Sequence, residues 1–260
     1  MNKLVLTVLA VCLLQVSVAV ADGCNNRTLV GTVALAGVKA DPPSYHSSIY
    51  EESWDGAGNI QYLESDTNGY QSSGLYYGTG KYTVSPDCIA TVVYDGNTTV
   101  SWTYYLNGDG TGYSWAGNSG GGIGGGRAEL ITKGLLVNPA LTARGPCTLS
   151  TLRGTYGRSG EGTAYGVPFA TADSEFYDGA GNATYVSTTS DGSGTNTVHG
   201  TATYTITDRC VASVYVDGST SPTLYFVAPD GSAYWWMNNN DVGVVIGGKA
   251  PRVARGHHND

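Results

Sequence analysis

The chain has 260 residues and carries 13 Lys and Arg against 21 Asp and Glu side chains, a formal net charge of −8. Binding to nucleic acid depends on a basic surface that releases counterions, and the sequence contains no cluster of Lys or Arg. The composition therefore excludes nucleic acid as a partner, and the acidic balance favours solubility.

The N-terminal segment has the three parts of a secretory signal peptide. Lys3 is followed by an apolar run at 4–20, and Ala-Val-Ala at 19–21 forms a small-residue cleavage site. The apolar run is too short for a comfortable membrane span, so we expect no span once the signal is removed. Residues 1–21 are therefore predicted to be a signal peptide, and the mature protein to be secreted or periplasmic.

The rest of the chain contains the same module twice. The sequence WDGAGN at Trp54–Asn59 matches YDGAGN at Tyr177–Asn182, and the Y-T-V strand that runs into a cysteine at Tyr82–Cys88 matches Tyr204–Cys210. Chance does not place so many turn, aromatic and cysteine positions in the same order. The predicted organisation is a first module at 22–131, a linker at 132–146, a second module at 147–255 and a tail at 256–260.

Four cysteines remain after the signal is removed, and an even number in an exported chain predicts disulfides. Three pairings are possible in principle. The pairs Cys24–Cys88 and Cys147–Cys210 close the same loop in each copy, so the autonomy of the modules selects them. We therefore expect one disulfide per module.

Side chains in each module alternate with the period of a β-strand. Ala202, Tyr204 and Ile206 are interleaved with threonines, which predicts a half-buried strand with a polar outer face. Asp-Gly and Asn-Gly pairs mark hairpin turns, and no convincing helical period is present. We predict an all-β fold of two tandem antiparallel modules with about seven or eight strands each. A closed barrel and a two-sheet sandwich both fit this count.

The order of these motifs resembles a group of secreted bacterial proteins of unassigned function. It runs from the aromatic-D-G-x-G-N turn, through the Y-T-V/I strand that ends in a cysteine, to a closing Gly-rich strand. Those proteins in turn resemble small β-barrels of the calycin and allene oxide cyclase type. The resemblance covers both modules and implies a barrel fold, but no motif carries a catalytic residue over to this chain.

Two glutamates are the main candidates for a functional site. Glu52 and Glu175 occupy equivalent positions, two residues before Trp54 and Tyr177, so each shares a strand face with an aromatic side chain. If that face is the barrel interior, each module holds a buried carboxylate that could bind a polar group or act as a general acid. Otherwise the glutamates are ordinary surface residues.

Basic and aromatic residues complete the candidate site. Arg127 and Lys249 match each other on the last strand, which in a closed barrel would lie near the first. Trp235 and Trp236 are adjacent, so one should face inward and the other outward, where it could stack on a sugar or contact a protein. The predicted ligand-binding set is Glu52, Trp54, Arg127, Glu175, Tyr177, Lys249, Trp235 and Trp236.

We predict neither a metal site nor a cofactor. The Asp-Gly segments at 107–110 and 191–196 lack the twelve-residue pattern of a calcium loop with its final glutamate. The sequence also lacks zinc-ligand spacings and a G-x-S-x-G elbow. Metal-dependent hydrolysis and catalysis by a serine nucleophile therefore have no support in the sequence.

Three classes of function compete. The preferred one is an exported, non-catalytic protein that binds a small hydrophobic molecule or a glycan in or on a β-barrel module. A self-associating extracellular structural or surface protein would explain the duplication and the disulfides equally well. A cyclase-like enzyme would use an interior glutamate, and fold alone does not separate these alternatives.

Overall fold

The computed structural model describes residues 23–41, 44–69, 73–97, 102–117, 123–137, 146–238 and 243–255. The predicted signal peptide and C-terminal tail lie outside the described residues. Within the described part of the chain, no helix is long and apolar enough to cross a membrane.

The described strands form two closed antiparallel barrels of eight strands each, which confirms the all-β prediction and decides for barrels over sandwiches. The first barrel contains β1 (Gly31–Asp41), β2 (Ser44–Trp54), β3 (Asn59–Thr67), β4 (Tyr76–Val84), β5 (Ile89–Tyr94), β6 (Trp102–Leu106), β7 (Gly112–Gly117) and β8 (Ile123–Thr132). The second contains β9 (Arg153–Ala164), β10 (Val167–Asp178), β11 (Asn182–Ser190), β12 (Thr195–Ile206), β13 (Val211–Val216), β14 (Thr223–Val227), β15 (Ala233–Met237) and β16 (Val244–Ala254). Within each barrel every strand pairs with the next, and the pairs β1–β8 and β9–β16 close the two barrels.

The alternation in the sequence sets which side chains fill each barrel. On β12, Ala202 and Tyr204 are buried in the interior, whereas Thr201, Thr203 and Thr205 are exposed on the outer face. Burial of the inner face stabilises the folded protein, while the outer face remains solvated. Closure then leaves no unpaired sheet edge along these threonine-rich strands.

The repeated D-G-x-G-N motif is explained by the hairpin turns that follow β2 and β10. A carboxylate oxygen of Asp55 accepts hydrogen bonds from the backbone N–H of Ala57 at 2.7 Å and of Asn59 at 2.9 Å. Asp178 makes the same two bonds in the second barrel. The glycine directly after each aspartate has a positive φ, 74° and 79° respectively, which glycine adopts without strain.

One end of each barrel is closed by the segment that precedes its first strand. Leu29 and Leu152, which lie in these segments, are fully buried. In the second barrel the Tyr204 hydroxyl donates to the Leu152 carbonyl at 2.9 Å. The predicted disulfides are confirmed, and they tie each segment to the turn after β4 or β12 through Cys24–Cys88 and Cys147–Cys210.

The two barrels pack side by side. Strands β1 and β2 of the first barrel contact β15 and β16 of the second, and β2 also contacts β14. Val137, within the predicted linker, is buried there, and its N–H donates to the Ser53 hydroxyl at 3.0 Å. The main apolar cluster of this interface consists of Ile49, Leu63, Val137, Val211, Leu224, Phe226 and Met237.

A glutamate is buried on the face of β2 that forms this interface. Glu51 is only 1% exposed, follows Ile49 on the outer face of β2 and pairs across the sheet with Leu63. Its Oε1 atom has no hydrogen-bond partner among the described residues. Burial raises the pKa of Glu51 well above its ordinary value, because ionisation in an apolar environment is costly.

Candidate ligand-binding site

Both candidate glutamates lie inside the barrels. Glu52 is 1% exposed and Glu175 is 5% exposed. Each lies two residues before an inward-facing aromatic residue on the same strand, and that aromatic residue is nearer the closed end of the barrel. Those aromatic residues are Trp54 and Tyr177, which are also buried. The carboxylates therefore lie deep in the two interiors, on equivalent strands, but their surroundings differ.

In the first barrel, Glu52 is held by hydrogen bonds alone. Its carboxylate accepts from the hydroxyl of Tyr94 at 2.8 Å, from that of Tyr104 at 3.2 Å and from the indole N–H of Trp54 at 3.3 Å. Tyr113 provides a fourth donor. Burial raises the pKa of Glu52, and the four hydrogen bonds offset this effect only in part.

In the second barrel, an arginine accompanies the glutamate. Nε of Arg158 lies 3.1 Å from the Glu175 carboxylate and also forms an ion pair with Asp173. Glu175 accepts hydrogen bonds from the hydroxyls of Tyr177, at 2.7 Å, and Tyr234. Burial acts to lower the pKa of Arg158, but the surrounding acidic groups, Glu175 first among them, raise it well above its ordinary value overall.

Further contacts fix the arginine in this position. Nη1 of Arg158 donates to the Tyr225 hydroxyl at 3.2 Å, and the guanidinium lies 4.3 Å from the centre of the Trp236 ring. Asp173, its ion-pair partner, accepts a hydrogen bond from the Thr171 hydroxyl at 2.8 Å. A buried ion pair is tolerated when its remaining hydrogen-bonding groups are satisfied in this way.

The two basic residues expected beside the glutamates lie elsewhere. Arg127 is exposed on the outside of the first barrel, because the neighbouring Ala128 takes the inward position on β8. Lys249 also points outward, where it forms an ion pair with Glu129 of the first barrel. Both residues are on the last strand as predicted, but on its outer face.

The two adjacent tryptophans face in opposite directions. Trp236 points into the second barrel. Trp235 points outward, but it is only 4% exposed because it packs between the barrels, with Nζ of Lys249 5.4 Å from its ring centre. The outer tryptophan therefore presents no open platform for a sugar.

An open cavity of about 480 Å³ lies above the charged residues of the second barrel. It opens at the end opposite to the closing segment, since it reaches the turn at Asp217–Ser219 and the start of β16. Its floor is formed by Arg158, Glu175 and Trp236. The apolar and aromatic side chains along its wall are Phe169, Tyr185, Val198, Val216, Val244 and Ile246.

At three of the corresponding positions, the first barrel carries larger side chains. Val216 of the cavity wall is replaced by Tyr94, whose hydroxyl reaches Glu52. Ser187 is replaced by Glu64, which accepts a hydrogen bond from Tyr50 at 2.5 Å. A third lining residue, threonine at 223, corresponds to a tryptophan at 102. The two copies therefore differ, with bulkier side chains at these positions in the first barrel and an open cavity in the second.

Sequence reasoning missed Arg158 and Asp173. The search relied on features shared by the two modules, and the equivalent positions in the first module are Leu35 and Tyr50. The alternation of the strand could have predicted the position of Arg158, because it lies two residues after Tyr156 and both side chains face inward.

A scan of the sequence against models of protein families finds no match, and a search among curated proteins finds no similar sequence. Among the described residues, no group of three or more His, Cys, Asp or Glu side chains is arranged to hold a metal ion.

Proposed function

We propose that this chain is an exported binding protein whose second barrel holds a small molecule with a largely apolar body. The observation that carries this proposal is the open cavity above Arg158 and Glu175. Its volume falls within the range of about 300–1,000 Å³ typical of ligand pockets, and its lining combines apolar walls with a few convergent polar groups. Eight-stranded up-and-down barrels have room for one small ligand of this kind. The resemblance to calycin barrels favours the same reading.

We infer separate roles for the two barrels from the difference between their interiors. The first barrel fills the equivalent positions with Tyr94, Glu64 and Trp102, and it packs its outer face against the second. We infer that it serves as a structural partner that covers one side of the binding barrel. The two disulfides are typical of proteins that work in an oxidising space outside the cytoplasm.

The contacts of the glutamates favour binding over catalysis. A general acid must present its proton to a substrate, and Glu52 is surrounded by four donors instead. Glu175 is paired with Arg158. A hydrophobic ligand is favoured over a glycan because Trp235 is covered by the first barrel.

The experiment fills the cavity with the side chain that the first barrel uses. Val216→Tyr introduces the residue found at the equivalent position, Tyr94, so the fold has already accommodated it once. The matched control is Val186→Tyr on the outer face of β11, where the wild-type residue is 37% exposed. Binding is measured by the fluorescence of N-phenyl-1-naphthylamine, a neutral apolar dye, and folding by near-UV circular dichroism.

We expect the wild-type protein and Val186→Tyr to bind the dye with equal affinity and Val216→Tyr to bind it at least about tenfold more weakly. If all three proteins bind it equally, or if the wild-type protein does not bind it, the second barrel is not the binding site we propose.

A further inference from the structure

The charges at the floor of the cavity do not cancel. The floor network contains one guanidinium, that of Arg158, and two carboxylates, those of Asp173 and Glu175. The formal balance is therefore one negative charge, and it lies in a buried place where solvent screens it weakly. Arg158 is also the single Lys or Arg among the described residues that line the cavity, whereas Asp217 adds a further carboxylate at its mouth.

Part of the hydrogen-bonding capacity of the arginine is already used. Its Nε faces both carboxylates, its Nη1 donates to Tyr225, and its plane rests near the ring of Trp236. An anionic group that approached the remaining N–H groups of Arg158 would also approach the Glu175 carboxylate, which lies 3.1 Å from Nε. We therefore expect the cavity to disfavour carboxylate or sulfate groups.

Aromatic rings stand next to the uncompensated charge. Tyr185 pairs directly across the sheet with Glu175, so the two side chains lie side by side on the inner surface. Gly200 leaves the space for this tyrosine, since a Cβ atom there would lie 2.4 Å from its hydroxyl oxygen. Phe169 lines the same cavity nearer its mouth. Aromatic faces attract organic cations, and an adjacent carboxylate strengthens the attraction.

We propose that the ligand of the second barrel is an organic cation, with an ammonium head that lies between Glu175 and the aromatic rings and an apolar body that follows the valine and isoleucine wall. This inference rests on the proposed function, because it names the chemical class of the molecule that occupies the same cavity. It explains why an arginine is held there with two acids rather than one. The second acid turns a neutral pair into a site with an excess of negative charge.

The test uses three ligands with the same ten-carbon chain and different heads: decylammonium, 1-decanol and decanoate. Each is titrated below its micelle concentration or solubility limit against the wild-type protein at neutral pH, and displacement of N-phenyl-1-naphthylamine gives the affinity. We expect decylammonium to bind about tenfold more tightly than 1-decanol, and decanoate to bind most weakly.

Two variants separate the local charge from the overall charge of the protein. Asp173→Asn leaves the floor network formally neutral, and we expect it to remove most of the preference for decylammonium over 1-decanol. Glu161→Gln removes the same charge from an exposed position on the outer face of β9, and we expect no change.

The outcomes distinguish the two proposals. If neither the dye nor any of the three ligands binds the wild-type protein, the proposed function fails. If the dye and 1-decanol bind but decanoate equals or exceeds decylammonium, the cavity remains a binding site and the cationic ligand is refuted. An equal loss of preference in Glu161→Gln would also refute it, because the preference would then arise from the net charge alone.

Discussion

Glu51 makes the contact between the barrels sensitive to pH. This glutamate is buried on the face of β2 that forms the interface, its Oε1 has no hydrogen-bond partner among the described residues, and burial raises its pKa well above the ordinary value. The folded protein therefore holds a proton that the unfolded chain releases above about pH 4.3. Stability from this group is complete below that pH and is lost as the pH rises towards the folded-state pKa.

The magnitude follows from proton linkage. Within that window, one group changes the free energy of unfolding by up to about 1.4 kcal/mol per pH unit, so between pH 5 and pH 7 Glu51 lowers it by up to about 2.7 kcal/mol. Glu51→Gln keeps the shape of the side chain and removes the titration. We expect this variant to be close to the wild-type protein in stability at pH 5 and more stable than it at pH 7.

The assay is urea denaturation of the wild-type protein, Glu51→Gln and Glu161→Gln at pH 5, 6, 7 and 8. Glu52 and Glu64 also have raised pKa values because of burial, so the wild-type profile contains their contributions as well. The difference between the wild-type protein and Glu51→Gln isolates the interface glutamate, and the exposed Glu161 is the matched control. Parallel profiles for the wild-type protein and Glu51→Gln would refute the reasoning.

Three further predictions concern the barrel interiors and the disulfides. Arg158→Leu leaves two buried carboxylates without their cation and should lower the free energy of unfolding by about 3–5 kcal/mol, whereas adding Asp173→Tyr, as in the first barrel, should recover part of it in urea titrations. Tyr113→Phe removes a donor from Glu52 and should cost about 1.5–3 kcal/mol, and a loss below about 0.5 kcal/mol would contradict the hydrogen bond. Replacing both cysteines of the second disulfide by serine opens a loop with a sequence separation of 63 and should cost about 4 kcal/mol, measured as a lower urea midpoint without reducing agent, since a reductant would also open Cys24–Cys88.

The fold could be predicted from the sequence because its signals are local. Hairpin turns, strand alternation and the repeated cysteines each depend on a few neighbouring residues, and they gave the strand number and the disulfide pairs. The choice between barrel and sandwich was not available, because it depends on the pairing of β1 with β8 and of β9 with β16, which are distant in the chain. Alternation looks the same in both architectures.

The site was predicted in part for the same reason. Glu52 and Glu175 were found because each lies two residues from an aromatic side chain, and this spacing fixes a shared strand face. Arg127 and Lys249 were expected near the glutamates but lie on the outer face of the last strand, whose Gly-rich sequence offers little alternation from which to predict a face. Trp235 is covered by the other barrel, and a contact between modules leaves no periodic pattern in either one. Arg158 was missed because the comparison of the two copies selects positions at which they match, and the equivalent residue in the first module is Leu35.

The shared wall between the barrels gives the second barrel two unequal halves. All five residues of β14 and all five of β15 are buried, since one face lines the interior and the other packs against the first barrel. On the far side, β12 exposes its threonine face to solvent. Fluctuations that widen the lumen must therefore come from the solvent side, because moving the buried wall would break both interiors together. Under the proposed function, the first barrel would hold one wall of the second in place, and the solvent-facing strands would move to admit a ligand.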